Sequence, residues 1–269
     1  MYLRERNPNS LCAVCIKFLN LPLIISLSLL LGYFVIALHI MPPGKETRKS
    51  SLDSFMTEYD PCTDPIKMGV PTFRHREDLG DILQKENMTV GAELGVQKGI
   101  FTVQMLKRWP SCKEYHLVDL WAQQENYVDI ANVGAGIQEE RYNETLRNTN
   151  NWKDKIHVCR NYTSECVKEM PDSYFDFIYV DARHDFKGVY EDMVDWWPKL
   201  RKGGIFAGHD YVTQDEVGKG QDWTVNYDGT KDETRTVVKG AVDLFAAKVC
   251  RQVTVAYRER MWNTWAMRK

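Results

Sequence analysis

Short apolar runs alternate with amphipathic stretches along most of the chain from residue 77 onward. An apolar run between turn signals is typical of a buried strand, and apolar residues at helical spacing indicate a helix packed on one face. After the run at 175–180, for example, Val189, Met193, Trp196 and Leu200 recur at helical spacing. This alternation predicts an α/β fold built on a doubly wound, mostly parallel sheet.

Seven runs carry the strand signal. They lie at 89–94, 115–118, 156–159, 175–180, 205–208, 252–257 and 261–267. Only residues 258–260 separate the last two runs, and a link this short is typical of a hairpin. We therefore expect a seven-stranded sheet that ends in an antiparallel pair.

The first forty residues have a different composition. Residues 18–41 are almost entirely apolar, and about 20 such residues suffice to cross the core of a bilayer. No small-residue cleavage site follows the apolar stretch, which favours an uncleaved signal anchor over a signal peptide. The expected organisation is a short tail (1–17), a transmembrane anchor (18–41), a stalk (42–75) and a catalytic domain (76–269).

The side of the membrane is not decided by flanking charge, because three Lys or Arg residues lie on each side of the span. Three glycosylation sequons begin at Asn87, Asn143 and Asn161, all beyond the span. They favour a glycoprotein with a lumenal domain in the ER or Golgi. Five cysteines follow the span, so at most two intrachain disulfides are expected there. A net charge of −2 gives no indication of a nucleic-acid partner.

Two of the predicted strands end in acids. Asp181 follows the run at 175–180, with His184 three residues later, and His209-Asp210 follows the run at 205–208. The carboxyl ends of parallel strands meet at the edge where open α/β sheets bind ligands. Two carboxylates and an imidazole at this edge suggest a cation site or a proton-transfer site.

A second constellation lies at the first strand. Glu93, Gly95 and Gly99 fall between that strand and its helix, and Asp119 ends the next strand. Gly95 permits a tight turn, and the start of the helix presents free N–H groups to the same crevice. There is no G-x-G-x-x-G, and a carboxylate at 93 suits a cationic ligand, such as an ammonium or sulfonium, better than a pyrophosphate. Asp119 could accept hydrogen bonds from ribose hydroxyls.

Glu93-x-Gly95-x-x-x-Gly99 with Asp119 resembles the first two motifs of class I S-adenosylmethionine-dependent methyltransferases, and the terminal hairpin also matches their fold. The segment from Asp181 to Asp210 resembles a subfamily that includes sugar O-methyltransferases. The resemblance covers about residues 75–269.

The resemblance implies a role for each matching residue. Glu93, Gly95 and Gly99 would hold the methionine part of S-adenosylmethionine. Asp119 would hold its ribose, and residues 161–164, beginning with Asn161, would lie beside its adenine. Asp181 and Asp210 would bind a divalent cation, with magnesium the expected ion, and His184 would be the general base.

Two polar loops, at 121–137 and 212–236, follow strand ends on the same edge and are expected to form lids or substrate walls. Trp121, Trp223 and Tyr227 on these loops could stack on a sugar, so the expected partner is a glycan or another small hydroxylated acceptor. One alternative is a short-chain reductase, since Tyr227 and Lys231 match a Tyr-x-x-x-Lys pattern. The other is a membrane-anchored binding module without activity.

Overall fold

The computed structural model describes residues 69–256 and 262–269. Its centre is a seven-stranded sheet in the order β3-β2-β1-β4-β5-β7-β6. The strands are β1 Val90–Leu94, β2 Glu114–Val118, β3 Ile156–Cys159, β4 Phe175–Val180, β5 Leu200–Gly208, β6 Thr254–Ala256 and β7 Thr264–Arg268. The first five strands pair in parallel, whereas β7 lies antiparallel between β5 and β6. The predicted mostly parallel sheet with a terminal antiparallel pair is confirmed.

Six α-helices of the described chain accompany the sheet. They are α1 Asp78–Lys85, α2 Ile100–Arg108, α3 Ala135–Thr149, α4 Thr163–Cys166, α5 Phe186–Trp196 and α6 Val237–Lys248. Helix α5 begins where Asp185 accepts a hydrogen bond from the N–H of Gly188 at 3.0 Å, which satisfies one of the free donors of the first turn.

Sequence periodicity predicted two element boundaries poorly. Helix α3 was expected at 141–152 but begins at Ala135. The prediction missed its first turns because the buried positions of this helix include Gln138 and Thr145, which carry no apolar signal. Strand β5 was expected to begin at 205, after a glycine turn, but it begins at Leu200. Gly204 is needed within that strand because a Cβ there would lie 2.9 Å from the carbonyl oxygen of Asp176.

The hydrophobic core lies on both faces of the sheet. On one face α5 and α6 pack through Met193, Trp196 and Phe245, and on the other α1 and α2 pack through Leu83 and Met105. Every residue of β4, the central strand, is buried. A strand covered on both faces has no solvent side, so β4 is apolar at every position but Asp176 instead of alternating between apolar and polar residues.

The described helices do not cross a membrane. None within 69–256 and 262–269 is long and apolar enough to do so; α3, with 15 residues, falls short of the roughly 20 that a bilayer core requires. This finding contradicts the predicted location, a single-pass membrane protein with a lumenal domain in the ER or Golgi. The expected tail (1–17), transmembrane anchor (18–41) and most of the stalk (42–75) lie outside the described residues.

Candidate active site

A cavity of about 800 Å³ opens at the carboxyl ends of the parallel strands. Most of the residues predicted from the sequence line it. These are Glu93, Gly95, Asp119, Asn161, Asp181 and His184. The topology brings them together because β1, β2 and β4 are neighbours and their following loops leave the sheet on the same edge.

The turn after β1 requires glycine at position 95. Gly95 has φ +87°, and a Cβ there would lie 1.9 Å from the carbonyl oxygen of Asp181. The turn can therefore press against the end of β4 only without a side chain. Gly99, the residue before α2, has φ +71°, and a Cβ there would meet the methyl groups of Thr145 and Thr149 at 3.2 Å. Gly99 thus allows α3 to pack closely and, unlike Gly95, does not line the cavity.

Glu93 lies at the base of the cavity and is only 1% exposed. It accepts hydrogen bonds from the hydroxyls of Thr102 at 2.8 Å and Tyr115 at 3.2 Å. Burial, with a smaller contribution from the charge of Asp181, raises the pKa of Glu93 to about 8. The carboxyl group is therefore largely protonated at neutral pH, and a cation placed against it would favour its ionised form.

Asp119 ties the turn after β1 to the end of β2. Its Oδ2 accepts hydrogen bonds from the N–H groups of Val96 at 2.8 Å and Gln97 at 2.9 Å. Its Oδ1 accepts one from the N–H of Trp121 at 2.8 Å. A carboxylate has about four lone-pair sites, so Asp119 can still accept hydrogen bonds from a ligand in the cavity.

The loop after β3 forms another wall of the cavity. Asn161, Tyr162 and Thr163 line it, and a disulfide between Cys159 and Cys166 joins the two ends of this segment. The disulfide agrees with the expected limit of two intrachain bridges. Because it closes so short a loop, it restricts the positions that these lining residues can take.

His184 lies among four polar groups. Its Nδ1 is 3.0 Å from the hydroxyl of Tyr127 and 3.1 Å from Oδ2 of Asp129. Its Nε2 is 2.9 Å from Oδ2 of Asp210 and 3.5 Å from Oδ1 of Asp181. Burial alone would lower the pKa of His184, but Tyr127, Asp210, Asp129 and Asp181 outweigh it and hold the pKa well above its ordinary value.

Asp210 does not line the cavity but contacts His184 from behind. Its side chain is 4% exposed, and its Oδ1 lies 2.8 Å from Nδ1 of His209. Burial would raise the pKa of Asp210, but His209 and His184 outweigh this effect and hold it well below the ordinary value. The contacts around Nε2 of His184 and Oδ1 of Asp210 do not have hydrogen-bond geometry, so neither atom has a hydrogen-bond partner among the described residues.

Both polar loops contribute to this cluster. Trp223 donates a hydrogen bond from Nε1 to Oδ2 of Asp129 at 2.7 Å, and its ring lies 4.4 Å from that of His184. Arg183 stacks its guanidinium over the ring of Tyr127 at 4.5 Å and donates to Oδ2 of Asp185 at 2.5 Å. The site therefore includes Tyr127 and Asp129, which sequence reasoning missed because nothing distinguishes them from other polar loop residues.

Two of the three loop aromatics have different surroundings from those expected. Trp121 and Trp223 are 2% and 1% exposed and do not line the cavity, so they cannot stack on a ligand there. Trp121 instead donates to the carbonyl of Gln97. Tyr227 does line the cavity, with its hydroxyl 2.9 Å from Oε1 of Glu191. Tyr227 and Lys231 lie in a loop rather than on a helix, which gives no support to a reductase site.

The acid cluster could hold a divalent cation. Asp181, His184 and Asp210 each offer one ligand atom, and these three atoms lie within 4.8 Å of one another. Asp210 faces His184 through Oδ2, which lies 2.9 Å from Nε2 of that histidine. Two carboxylate oxygens also match the oxygen preference of magnesium.

A model of the methyltransferase-domain family matches residues 92–211. The chain is 28% identical over 112 residues to the uncharacterized protein y4gI of Sinorhizobium fredii, a match that covers 41% of this chain and 11% of that protein. The O-methyltransferase of Bacillus cereus, solved in complex with SAH, has a TM-score of 0.50 at 15% identity, over 86% of this chain and 94% of that one. An O-methyltransferase family protein of Burkholderia thailandensis has a TM-score of 0.48 at 10% identity, over 72% of this chain and 55% of that one.

The family match and the sheet order together define the class. Residues 92–211 form a methyltransferase domain, on a fold shared with the Bacillus cereus enzyme. This domain match agrees with the predicted methyltransferase class and with S-adenosylmethionine as its cofactor. The match to y4gI spans only a small part of that protein, so it says nothing about the activity of this whole chain.

Proposed function

We propose that this protein transfers a methyl group from S-adenosylmethionine to a hydroxyl oxygen of a small acceptor. The observation that carries the proposal is Nε2 of His184. This nitrogen is buried, has no hydrogen-bond partner among the described residues, and belongs to a side chain that lines the same cavity as Glu93 and Gly95. A basic nitrogen in that position can take the proton of an acceptor hydroxyl.

The cofactor would be held by the three strand ends that line the cavity. Glu93 and the turn at Gly95 would hold its methionine part, with the Glu93 carboxylate against its positive charge. Asp119 would accept hydrogen bonds from the ribose, and the loop beginning at Asn161 would lie beside the adenine. When bound, S-adenosylmethionine supplies a methyl group on a sulfonium, whose transfer depends mainly on alignment.

His184 acts on the acceptor. Its Nε2 takes the hydroxyl proton while the oxygen forms its bond to the methyl carbon and the carbon–sulfur bond breaks, its electron pair remaining on sulfur. Asp129 and Tyr127 hold the ring through Nδ1. Nε2 lies beside Asp210 and Asp181, and because only Asp181 of these two lines the cavity, the acceptor hydroxyl would approach Nε2 from the side of Asp181. The high pKa of His184 makes it a strong proton acceptor once the ring is neutral.

Asp181 and Asp210 would hold a divalent cation. A cation beside the acceptor would make its hydroxyl more acidic, which eases proton removal near neutral pH. The acceptor itself is proposed as a glycan or another small hydroxylated molecule, because the cavity that His184 lines also carries Tyr227 and Glu191, whose hydroxyl and carboxylate can hydrogen-bond to acceptor hydroxyls.

Two measurements on purified protein test the proposal. Calorimetry with S-adenosylmethionine measures cofactor binding, and radiolabelled cofactor offered with extracted glycans and small phenols measures transfer. His184→Ala should bind the cofactor normally and lose about 10²–10⁴-fold in turnover, whereas His75→Ala, a change at an exposed histidine, should keep both. Equal turnover by His184→Ala and the wild type would refute the assigned base. Cofactor binding without transfer to any hydroxyl acceptor would favour the non-catalytic binding module.

A further inference from the structure

A second cluster of metal-ligand side chains lies away from the cavity, on strands β2 and β3. Glu114 and His116 are two residues apart on β2, so both point to the same face of the sheet. His157 on β3 pairs directly with His116 in the parallel register. The two imidazole rings stack with centroids 4.7 Å apart and planes 25° from parallel.

The three side chains converge on one point. Oε2 of Glu114 lies 3.8 Å from Nε2 of His116 and 3.8 Å from Nε2 of His157. One ligand atom from each residue lies within 4.8 Å of the other two. Bonds of about 2.0–2.2 Å in a tetrahedral site place ligand atoms roughly 3.4 Å apart. The side chain of His157 is 52% exposed, so it has room to rotate and close the remaining gap.

The ring of His116 has a buried nitrogen for which the described residues provide no hydrogen-bond partner. Its side chain is 14% exposed, and its Nε2 is buried with no hydrogen-bond partner among the described residues. The rings of Phe175 and Tyr174 flank it edge-on at 5.2 and 6.0 Å.

Glu114 has the second partner that carboxylate ligands usually have. The hydroxyl of Tyr174 donates a hydrogen bond to Oε2 of Glu114. This bond fixes the carboxylate on the side of the two imidazoles and, with the nearby histidines, lowers the pKa of Glu114. Partners of this kind orient metal ligands and help to maintain affinity.

We propose that Glu114, His116 and His157 bind a divalent transition metal of the zinc type, with the fourth coordination position open to solvent. Two imidazoles and one carboxylate form a ligand set that zinc accepts. The site is separate from the cavity, because Glu114 begins β2 whereas the cavity lies beyond its other end, and none of the three residues lines the cavity. Strand β3 lies at the edge of the sheet. The metal would therefore link β3 to β2 through side chains, in addition to the backbone hydrogen bonds between the two strands.

The test uses the full-length protein, stripped of metal with a chelator and titrated with Zn²⁺ in a calorimeter. The matched pair is His157→Ala and His75→Ala, both substitutions of exposed histidines. Each is also made with Asp210→Ala, so that any Zn²⁺ bound by the cluster of Asp181, His184 and Asp210 is counted separately.

The Asp210→Ala protein should still bind one equivalent of Zn²⁺. When His157→Ala is added, this binding should be lost or its affinity should fall by more than about 100-fold. The loss should be this large because removing a ligand costs more than removing a hydrogen-bond partner of a ligand, which lowers metal affinity roughly 10–100-fold. His157→Cys, which offers zinc a thiolate instead, should restore binding. S-adenosylmethionine affinity should stay the same in His157→Ala, which also shows that this variant is folded. Equal Zn²⁺ stoichiometry and affinity with and without His157, or no Zn²⁺ bound by Asp210→Ala, would overturn the proposal.

Discussion

The unusual pKa of Glu93 leads to a specific prediction about cofactor binding. The carboxyl group is fully enclosed, with a pKa of about 8 in the absence of ligand. If the positive charge of S-adenosylmethionine binds only the ionised carboxylate, the protein must lose a proton before or during binding. Affinity should therefore rise with pH up to about 8 and level off above it.

The size of the effect follows from the same pKa. Each unit of pH below 8 reduces the ionised fraction about tenfold, so the affinity at pH 6.5 should be roughly 30-fold lower than at pH 9. Glu93→Gln keeps a side chain of the same shape but cannot ionise. Its affinity should be uniformly low and nearly independent of pH.

Calorimetry across this range, in buffers of different ionisation enthalpy, measures both the affinity and the number of protons released. Close to one proton should be released per cofactor at pH 7 by the wild type and by Glu140→Gln, a control change at an exposed glutamate, and none by Glu93→Gln. A wild-type affinity that stays level between pH 6.5 and 9 would refute the reasoning. So would a Glu93→Gln protein with the wild-type pH dependence.

The same group affects stability without ligand. The folded-state pKa of Glu93 lies above its ordinary value of 4.5, so the folded protein binds this proton more tightly than the unfolded chain. The stability that the proton provides is complete below pH 4.5 and is lost as pH rises through about 8, by up to ~5 kcal/mol. Thermal melting should show that the melting temperature falls less between pH 6 and pH 9 for Glu93→Gln than for the wild type. An equal fall in both proteins would argue against the raised pKa of Glu93.

Three further predictions concern the cavity walls. Gly95→Ala should abolish cofactor binding in calorimetry, because its Cβ would lie 1.9 Å from a backbone oxygen. Asp129→Asn should lower kcat by about 10–100-fold with little change in the cofactor KM, and should lower the pKa of His184 seen in the pH–rate profile, since Asp129 is one of the groups that raise it. Replacing Cys159 and Cys166 by Ser should reduce the free energy of unfolding by about 2–3 kcal/mol in denaturant titrations and weaken cofactor binding.

Much of the fold was predictable because the signals are local. The runs that became β1, β3 and β4 are short, apolar and bounded by polar residues, and each lies within a residue of its predicted position. Helix α3 was placed six residues late because its buried face is partly polar, so its contact with the rest of the protein leaves no apolar period in the sequence.

The candidate site was predictable to the extent that its residues end strands. Glu93, Asp119 and Asp181 could be assigned to one edge because parallel strands all leave the sheet there. The loop residues could not be assigned in this way. Asp129 lies 55 positions from His184 along the chain, yet it meets Nδ1 of that histidine, a contact that depends on how two polar loops fold over the edge.

The sequence by itself determined the order of strands and helices, the need for a glycine at the first turn, and the acids at the strand ends, because each depends on residues close together in the chain. Tertiary structure decided which of these side chains are buried and which groups they face. It buries Trp223 against His184 and aligns His116 with His157 across two strands. It also encloses the carboxyl group of Glu93, which raises the pKa of that group. These properties arise from desolvation and from contacts between distant segments, and neither is encoded in any local pattern.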